Sequence, residues 1–274
     1  SSMKRLVVTR AWDALAADDH NPDPAWAGWL NQGWQVCHWP LIEIASVTDS
    51  QTLDPVRAAW QNWSDWQAVM WVSASAARHF FKHRPQGHQW GEVRAWCTGP
   101  GTAQVVLGLG VPETCVVHPQ LGDAQWDSES LWARVQPQLD AHAPVLRVRG
   151  RDQSQDPARG SIQGQGRDWL ADQLAERGIP VHTVAVYERA LPQWTLEQKN
   201  LALEALNDGT IWWFTSSQAI HHLQQLLPGK ANGRSRAVVT HPRIAASCRD
   251  LGWGQVLLSA PDAVSVMKSI ESFQ

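Results

Sequence analysis

The chain contains an internal repeat, which limits the possible folds because repeated copies adopt the same local structure. Residues 70–77, MWVSASAA, match residues 212–219, WWFTSSQA, and this aligns Trp71 with a tryptophan 142 residues later. Residues 95–103, AWCTGPGTA, match residues 237–245, AVVTHPRIA, at the same spacing. Two blocks that recur at one offset, in the same order, indicate that the second half of the chain repeats the first.

The repeat extends toward the start of each copy, where Gly33 matches Gly178 after 145 residues. Each copy opens with a short apolar run, at residues 6–9 and 145–149, followed by a helical stretch that ends at a glycine and then by a second apolar run. This alternation of strands and helices is typical of parallel sheets covered by helices. The sequence therefore predicts an α/β fold with two doubly wound parallel-sheet domains that are related by the repeat.

Composition excludes several classes of protein. The 274 residues are enough for two domains, and 43% hydrophobic and 18% charged residues are typical of a folded globular chain. A net charge of −3 provides no strong field to attract nucleic acid or an anionic membrane, so we expect neither as a partner. The four cysteines form no CxxC pair, and no secretory segment or membrane span is recognisable. We therefore expect a cytoplasmic monomer.

Four turns share one design, in which an apolar strand ends in hydroxyl or glycine residues and a helix begins at once. Helix starts of this kind present backbone N–H groups and the positive end of the helix dipole at the carboxyl edge of the sheet, where anions bind. The alternative is that each hydroxyl only caps its own helix. These turns contribute nine candidate binding residues: Ser73, Ser75, Thr98, Gly99, Thr102, Thr215, Ser216, Ser217 and Thr240.

Motifs for other chemistry are missing from the sequence. There is no GxxxxGK[ST] loop, no GxGxxG after a strand, no HExxH and no GxSxG elbow. We therefore expect no metal, nucleotide or flavin cofactor. The eleven histidines are interpreted as surface or core residues, and the eighteen tryptophans as core packing.

Seven segments, in order and nearly spanning the chain, resemble the uroporphyrinogen-III synthase family. They are VVTR at 7–10, GWQVCHWPLIEI at 33–44, TGPGTA at 98–103, LRVRGR at 146–151, VYER at 186–189, FTSS at 214–217 and VVTHPRIA at 238–245. The resemblance implies a discontinuous first domain, residues 1–40 with 191–274, and a second domain, residues 41–190. Two linker strands near residues 41–45 and 186–190 would join them.

The resemblance also implies an activity. Members of this family close hydroxymethylbilane, a linear tetrapyrrole with acetate and propionate groups, into uroporphyrinogen III in the cleft between the domains. Water is lost to give an azafulvene cation, which forms a spiro intermediate and then the macrocycle with ring D inverted. Without this resemblance, the sequence leaves a second possibility open, a non-catalytic two-domain module that binds a polycarboxylate ligand.

Residue roles follow from the same resemblance. Tyr187, the only tyrosine in the chain, is the candidate to assist departure of the substrate hydroxyl. Thr9, Arg10 and Gly150 join the nine turn residues as candidates for substrate binding. The family's FTS turn reads VSAS in the first copy, so the chain departs from the family pattern at Ser73.

Overall fold

The computed structural model of the chain describes residues 4–16, 26–119, 128–152 and 168–273. The chain forms two compact units. The first comprises Ser1–Glu43 and Ala190–Gln274, and the second comprises Ile44–Arg189.

The chain begins in the first unit and then enters the second. The elements of this first stretch are short: β1 (Arg5–Val8), β2 (Trp12–Asp13), α1 (Ala27–Asn31) and β3 (Gln35–His38). Trp12 of β2 donates its N–H to the carbonyl of Ile42, 2.9 Å away. Strand β4 (Glu43–Ser46) then leads into the second unit.

In the second unit, the strands are ordered β4-β9-β8-β5-β6-β7, and the pairs from β9 to β7 are parallel. Its elements are α2 (Ser50–Gln61), β5 (Ala68–Trp71), α3 (Ala74–Phe81), β6 (Arg94–Cys97), α4 (Pro100–Gly108), β7 (Val116–Val117), α5 (Ser128–Val135), β8 (Val145–Asp152), α6 (Asp168–Glu176) and β9 (Val181–Ala190).

The chain then returns to the first unit and completes a five-stranded sheet with the order β12-β11-β10-β1-β3, all of it parallel. The returning elements are α7 (Leu196–Ala205), β10 (Ile211–Phe214), α8 (Ser217–Leu226), β11 (Arg236–Val239), α9 (Pro242–Asp250), β12 (Gln255–Leu258) and α10 (Ala263–Ile270).

The two sheets use one topology. Reading β12-β11-β10-β1-β3 against β7-β6-β5-β8-β9 pairs each strand with its repeat counterpart. Each unit thus combines the opening strands of one sequence copy with the closing strands of the other. In both, the order reverses at a switch point, between β1 and β10 or between β8 and β5, which is where ligands bind in doubly wound sheets. The predicted α/β fold with parallel sheets is confirmed.

Buried strands and tryptophans form the cores. Strands β5 and β10, which flank the switch points, are buried along their whole length, as parallel strands covered on both faces must be. A core cluster of the first unit surrounds Leu6 and Trp213, and a core cluster of the second surrounds Met70 and Trp96. The prediction that tryptophans pack the core is confirmed for ten of them: Trp26, Trp29, Trp60, Trp63, Trp71, Trp90, Trp96, Trp212, Trp213 and Trp253.

Candidate active site

Ser73 lies at the switch point of the second unit, where β5 ends and α3 begins. Its backbone is extended, and its Oγ accepts a hydrogen bond of 3.0 Å from the N–H of Ala76, so it is the N-cap of α3. The cap holds the hydroxyl at the carboxyl edge of the sheet, beside the positive end of the helix.

Tyr187 reaches the same hydroxyl from β9. Its phenolic oxygen lies 3.2 Å from Oγ of Ser73, and the side chain is only 3% exposed. The two hydroxyls carry two protons and share one of them in this hydrogen bond, so the other proton is available to a third group. Ser73 is partly exposed, which makes it the member of the pair that a ligand can approach.

Gly150 of β8 makes room for the tyrosine ring. A Cβ at this position would lie 2.2 Å from Cε2 and 2.3 Å from Cζ of Tyr187, closer than any real contact. A β-bulge after Arg149 shifts the register so that Gly150 faces Tyr187. The glycine is therefore required by the ring above it. Its predicted contact with substrate stays a prediction.

His79 on α3 packs against the other side of this group. Its ring centroid is 5.7 Å from that of Tyr187, the residue is buried, and Nδ1 lies 2.8 Å from Oγ of Ser46 on β4. Nζ of Lys82 donates to the same Oγ at 3.2 Å. The sequence interpretation, which treated the histidines as a set of surface or core residues, missed this neighbour of Tyr187.

An ion-pair network fixes the strand ends next to Tyr187. Arg151 at the end of β8 donates to Glu188 on β9 and, at 2.7 Å, to Asp49. Asp49 is the N-cap of α2, and hydrogen bonds from the hydroxyl and the backbone N–H of Thr52, together with Arg151, lower the pKa of its carboxyl to about 2. The network ties β8, β9 and α2 together on the edge that carries the tyrosine.

The turn between β6 and α4 presents backbone N–H groups more than side chains to a ligand. Gly99 is the N-cap of α4 and Pro100 opens the helix, while Thr98 is partly exposed. Thr102 is 6% exposed, because it lies on the inward face of α4. Helical periodicity turns this side chain toward the core, and its predicted contact with substrate stays a prediction.

The corresponding cap in the first unit is Ser216. Its Oγ accepts a hydrogen bond of 3.3 Å from the N–H of Ala219 at the start of α8. The structure therefore pairs Ser73 with Ser216, one residue later than the sequence alignment with Thr215. Thr215 is exposed at the end of β10, and Ser217 opens α8 with its hydroxyl oxygen buried.

At the fourth turn, His241 caps α9. Its Nδ1 accepts a hydrogen bond of 3.0 Å from the N–H of Arg243, and Pro242 opens the helix. Thr240, just before the cap, is partly exposed. This turn repeats the design of the turn at Gly99, with proline at the same helical position.

Two candidates directly after β1, Thr9 and Arg10, differ in exposure. Thr9 is 1% exposed, and its hydroxyl donates to the carbonyl of Trp213 at 2.7 Å. This hydroxyl bonds to a carbonyl of β10, and its predicted contact with substrate stays a prediction. Arg10, the next residue, is exposed. Ser75 on α3 of the second unit is partly exposed.

The first unit lacks a phenol at its switch point. In the repeat, Tyr187 corresponds to Ile42, which is buried. Nδ1 of His222 on α8 lies 2.5 Å from the carbonyl oxygen of Leu41, the residue before Ile42. The two edges therefore share capped helix starts and differ in the one residue able to donate a phenolic proton.

Other candidate chemistry is weak in the described part of the chain. Burial raises the pKa of Cys97 and of Cys248 to about 12, so neither thiol is ionised at neutral pH. Across residues 4–16, 26–119, 128–152 and 168–273, no cluster of three or more His, Cys, Asp or Glu could hold a metal ion. No helix among these residues is long and apolar enough to cross a membrane.

Comparison with known proteins identifies related chains. The family model described as uroporphyrinogen-III synthase HemD matches residues 28–265. The structure of uroporphyrinogen-III synthetase from Helicobacter pylori is similar, with a TM-score of 0.57 and 16% identity over 99% of this chain and 100% of that one. A mutant uroporphyrinogen III synthase from the extremely thermophilic bacterium Thermus thermophilus has a TM-score of 0.51, 16% identity and 97% coverage of both chains. At 16% identity the two structures support the fold alone, and the assignment to a family rests on the family model.

Proposed function

The chain belongs to the uroporphyrinogen-III synthase family, and we propose how its two units bind and cyclise hydroxymethylbilane. Membership makes it a cyclising lyase of tetrapyrrole biosynthesis. It also favours the enzyme over the non-catalytic binding module, which the sequence alone left open.

The helix starts of both units are the proposed sites for the substrate's carboxylates. Four helices, α3, α4, α8 and α9, begin directly after strands of the two sheets and expose N–H groups in their first turns. Anionic acetate and propionate groups complement these donors and the positive end of each dipole. Ser216, Thr240 and Thr98 supply hydroxyls at the same places, and Arg10 supplies a cation.

Tyr187 with Ser73 is the proposed proton donor for loss of the substrate hydroxyl. The C–O bond of the hydroxymethyl group breaks, the oxygen takes a proton and leaves as water, and the pyrrole nitrogen stabilises the resulting azafulvene cation. Because Tyr187 is buried and bonded to Ser73, the proton reaches the leaving oxygen from Ser73, which the phenol then replenishes. A general acid of this kind contributes about 10²-fold or less here, since the leaving group departs readily.

The remaining task of the protein is to hold the flexible substrate so that ring D closes in the inverted orientation. We propose that the enzyme works in the cytoplasm as a monomer, without nucleic acid or membrane partners. We also propose that it needs no metal, nucleotide or flavin, so activity after exhaustive treatment with EDTA should equal that of the untreated enzyme.

The observation that carries this proposal is the Tyr187–Ser73 hydrogen bond at the switch point, with the ring seated over Gly150. The test is incubation with freshly prepared hydroxymethylbilane, oxidation of the products and chromatographic separation of isomers I and III. We expect isomer III to dominate and to form faster than isomer I forms in buffer. Isomer I alone, at the rate seen in buffer, would refute the proposal even if the protein binds the substrate.

A further inference from the structure

Two buried histidines occupy equivalent places in the two units. His79 on α3 follows the N-cap Ser73 by six residues, and His222 on α8 follows the N-cap Ser216 by the same distance. They are 2% and 9% exposed. Buried imidazoles at matched positions of a repeat point to a shared structural task.

Each ring holds one end of the segment that leads from the first unit into the second. Nδ1 of His222 lies 2.5 Å from the carbonyl oxygen of Leu41, which only accepts, so this nitrogen carries the proton and donates it. Nδ1 of His79 lies 2.8 Å from Oγ of Ser46 at the other end. The shared task is therefore to anchor this segment to a helix within each unit.

His79, the histidine of the second unit, has a further neighbour. The ring of His79 lies against Tyr187, with centroids 5.7 Å apart and planes inclined by 47°. At the equivalent of Tyr187, the first unit has Ile42. His222 is therefore a control for His79. Both histidines anchor the segment between the units, and His79 also contacts the tyrosine.

Tyr187 is held from three directions. Gly150 lies beneath its ring, Ser73 bonds its hydroxyl, and His79 packs against the ring from α3. Because β9 fixes only the backbone of Tyr187, the direction of its O–H bond depends on these contacts. We propose that His79 is a positioning residue, which keeps the phenol aimed at Ser73 during the reaction. This inference rests on the proposed function of Tyr187.

The hydrogen bond to Ser46 explains why an imidazole suits this position. Oγ of Ser46 accepts from Nζ of Lys82 and shares a second hydrogen bond with Nδ1 of His79. The ring is thereby fixed at one edge while it packs against the tyrosine. A hydrophobic ring of similar size would keep the packing and lose the anchor.

The sole tyrosine allows a direct test of position. Labelling the protein with tyrosine carrying ¹³C at Cζ gives one resonance, from Tyr187. We expect His79→Ala to shift or broaden it and His222→Ala to leave it in place. An unchanged resonance in His79→Ala would overturn the proposal, and this readout does not depend on activity.

Kinetics test whether the position matters for turnover. We expect His79→Ala to lower kcat about tenfold with KM within about twofold, since small displacements of a reacting group cost rate. His222→Ala should keep kcat within about twofold, and His79→Phe should recover most of the loss. Combined with Tyr187→Phe, the His79→Ala change should add nothing further, because both remove the same aimed O–H.

Two kinetic results would also overturn the inference: equal losses of kcat in His79→Ala and His222→Ala, or losses in His79→Ala and Tyr187→Phe that multiply. Failure of the proposed function is distinguishable from failure of this inference, because the wild-type protein itself would then form no excess of isomer III. If His79→Ala does not fold, His79→Leu provides the same test, because it fills the space without an aromatic ring or the anchor to Ser46. A shifted Tyr187 resonance and a lowered kcat are then expected, and wild-type values of both would overturn the inference.

Discussion

The switch points of the two units share a scaffold and differ in chemistry. Both place a parallel strand before a serine-capped helix, with a buried histidine six residues after the cap. In the second unit, Tyr187 and Gly150 complete the edge, whereas the first unit has Ile42 at the tyrosine's position. The contrast separates two roles, because the capped helix starts proposed to bind the substrate's carboxylates occur in both units and the proposed proton donor occurs in one.

Gly150→Ala should produce the largest difference between the units. The new Cβ would displace the ring of Tyr187, and misplacing a reacting group by about an ångström costs about 10²-fold in rate. We expect kcat to fall by about that factor. Steady-state kinetics with hydroxymethylbilane, at a temperature where the variant is folded, measure the effect.

Gly254→Ala in the first unit is the matched control, because its Cβ would lie 1.9 Å from the carbonyl oxygen of Gly233. Both variants should lose about 1–3 kcal/mol of stability through overpacking. Only Gly150→Ala should lose turnover. Equal losses of kcat would mean that Gly150 acts through stability and not through Tyr187.

Replacing each of the two capping serines by alanine should have the next largest effect. Ser73→Ala and Ser216→Ala each remove a cap worth about 1 kcal/mol, so their melting temperatures should fall together. Ser73→Ala also removes the hydroxyl that passes the proton in the proposed mechanism, so it should lower kcat about 10- to 100-fold, as Tyr187→Phe does. Ser216→Ala should instead raise KM about fivefold. A larger kcat loss in Ser216→Ala would reverse the assignment of the two units.

Asp49→Asn should have the smallest effect. The lowered pKa of Asp49, about 2, means that its carboxylate stabilises the folded state above its ordinary pKa of 3.8, and that this contribution is lost as pH falls toward 2. Asparagine keeps the N-cap but loses the ion pair with Arg151. We expect a slightly lower Tm than wild type at pH 7, and a smaller difference in Tm at pH 2, where the carboxylate is partly protonated.

A control in the first unit is Asp262→Asn, which changes a different aspartate N-cap, that of α10. Hydrogen bonds from Ser265 lower the pKa of Asp262, so it should show the same direction of pH dependence. Neither variant should alter kcat at pH 7. A kcat loss confined to Asp49→Asn would place the Arg151 network within the catalytic machinery.

Much of the fold was predictable because it depends on local patterns. The repeat, the alternation of strands and helices and the hydroxyl turns are all visible in the sequence, and the structure shows parallel sheets with helices beginning at those turns. What the repeat alone could not predict is that each sheet takes strands from both copies. Strand partners depend on long-range packing, which the residues of a single copy do not specify.

The site was only partly predictable, because a hydroxyl's direction depends on neighbours distant in sequence. The hydroxyl of Thr9, a predicted binding residue, donates to Trp213, more than two hundred residues away, which the sequence does not reveal. Thr102 turns inward with its helix. The sequence interpretation missed the place of His79 beside Tyr187. His79 and His222 are separated by the same number of residues as Ser73 and Ser216, and this match could have drawn attention to His79.

The different roles of the two units are tested most sharply by comparing Tyr187→Phe with Thr240→Val. Measurement of kcat, KM and the ratio of isomer III to isomer I should show that Tyr187→Phe lowers kcat about 10- to 100-fold with little change in KM. Thr240→Val should raise KM about fivefold and keep kcat, because it loses a carboxylate donor worth about 1 kcal/mol. Full kcat in Tyr187→Phe, together with lost kcat and unchanged KM in Thr240→Val, would contradict the assignment of the proton donor to the second unit.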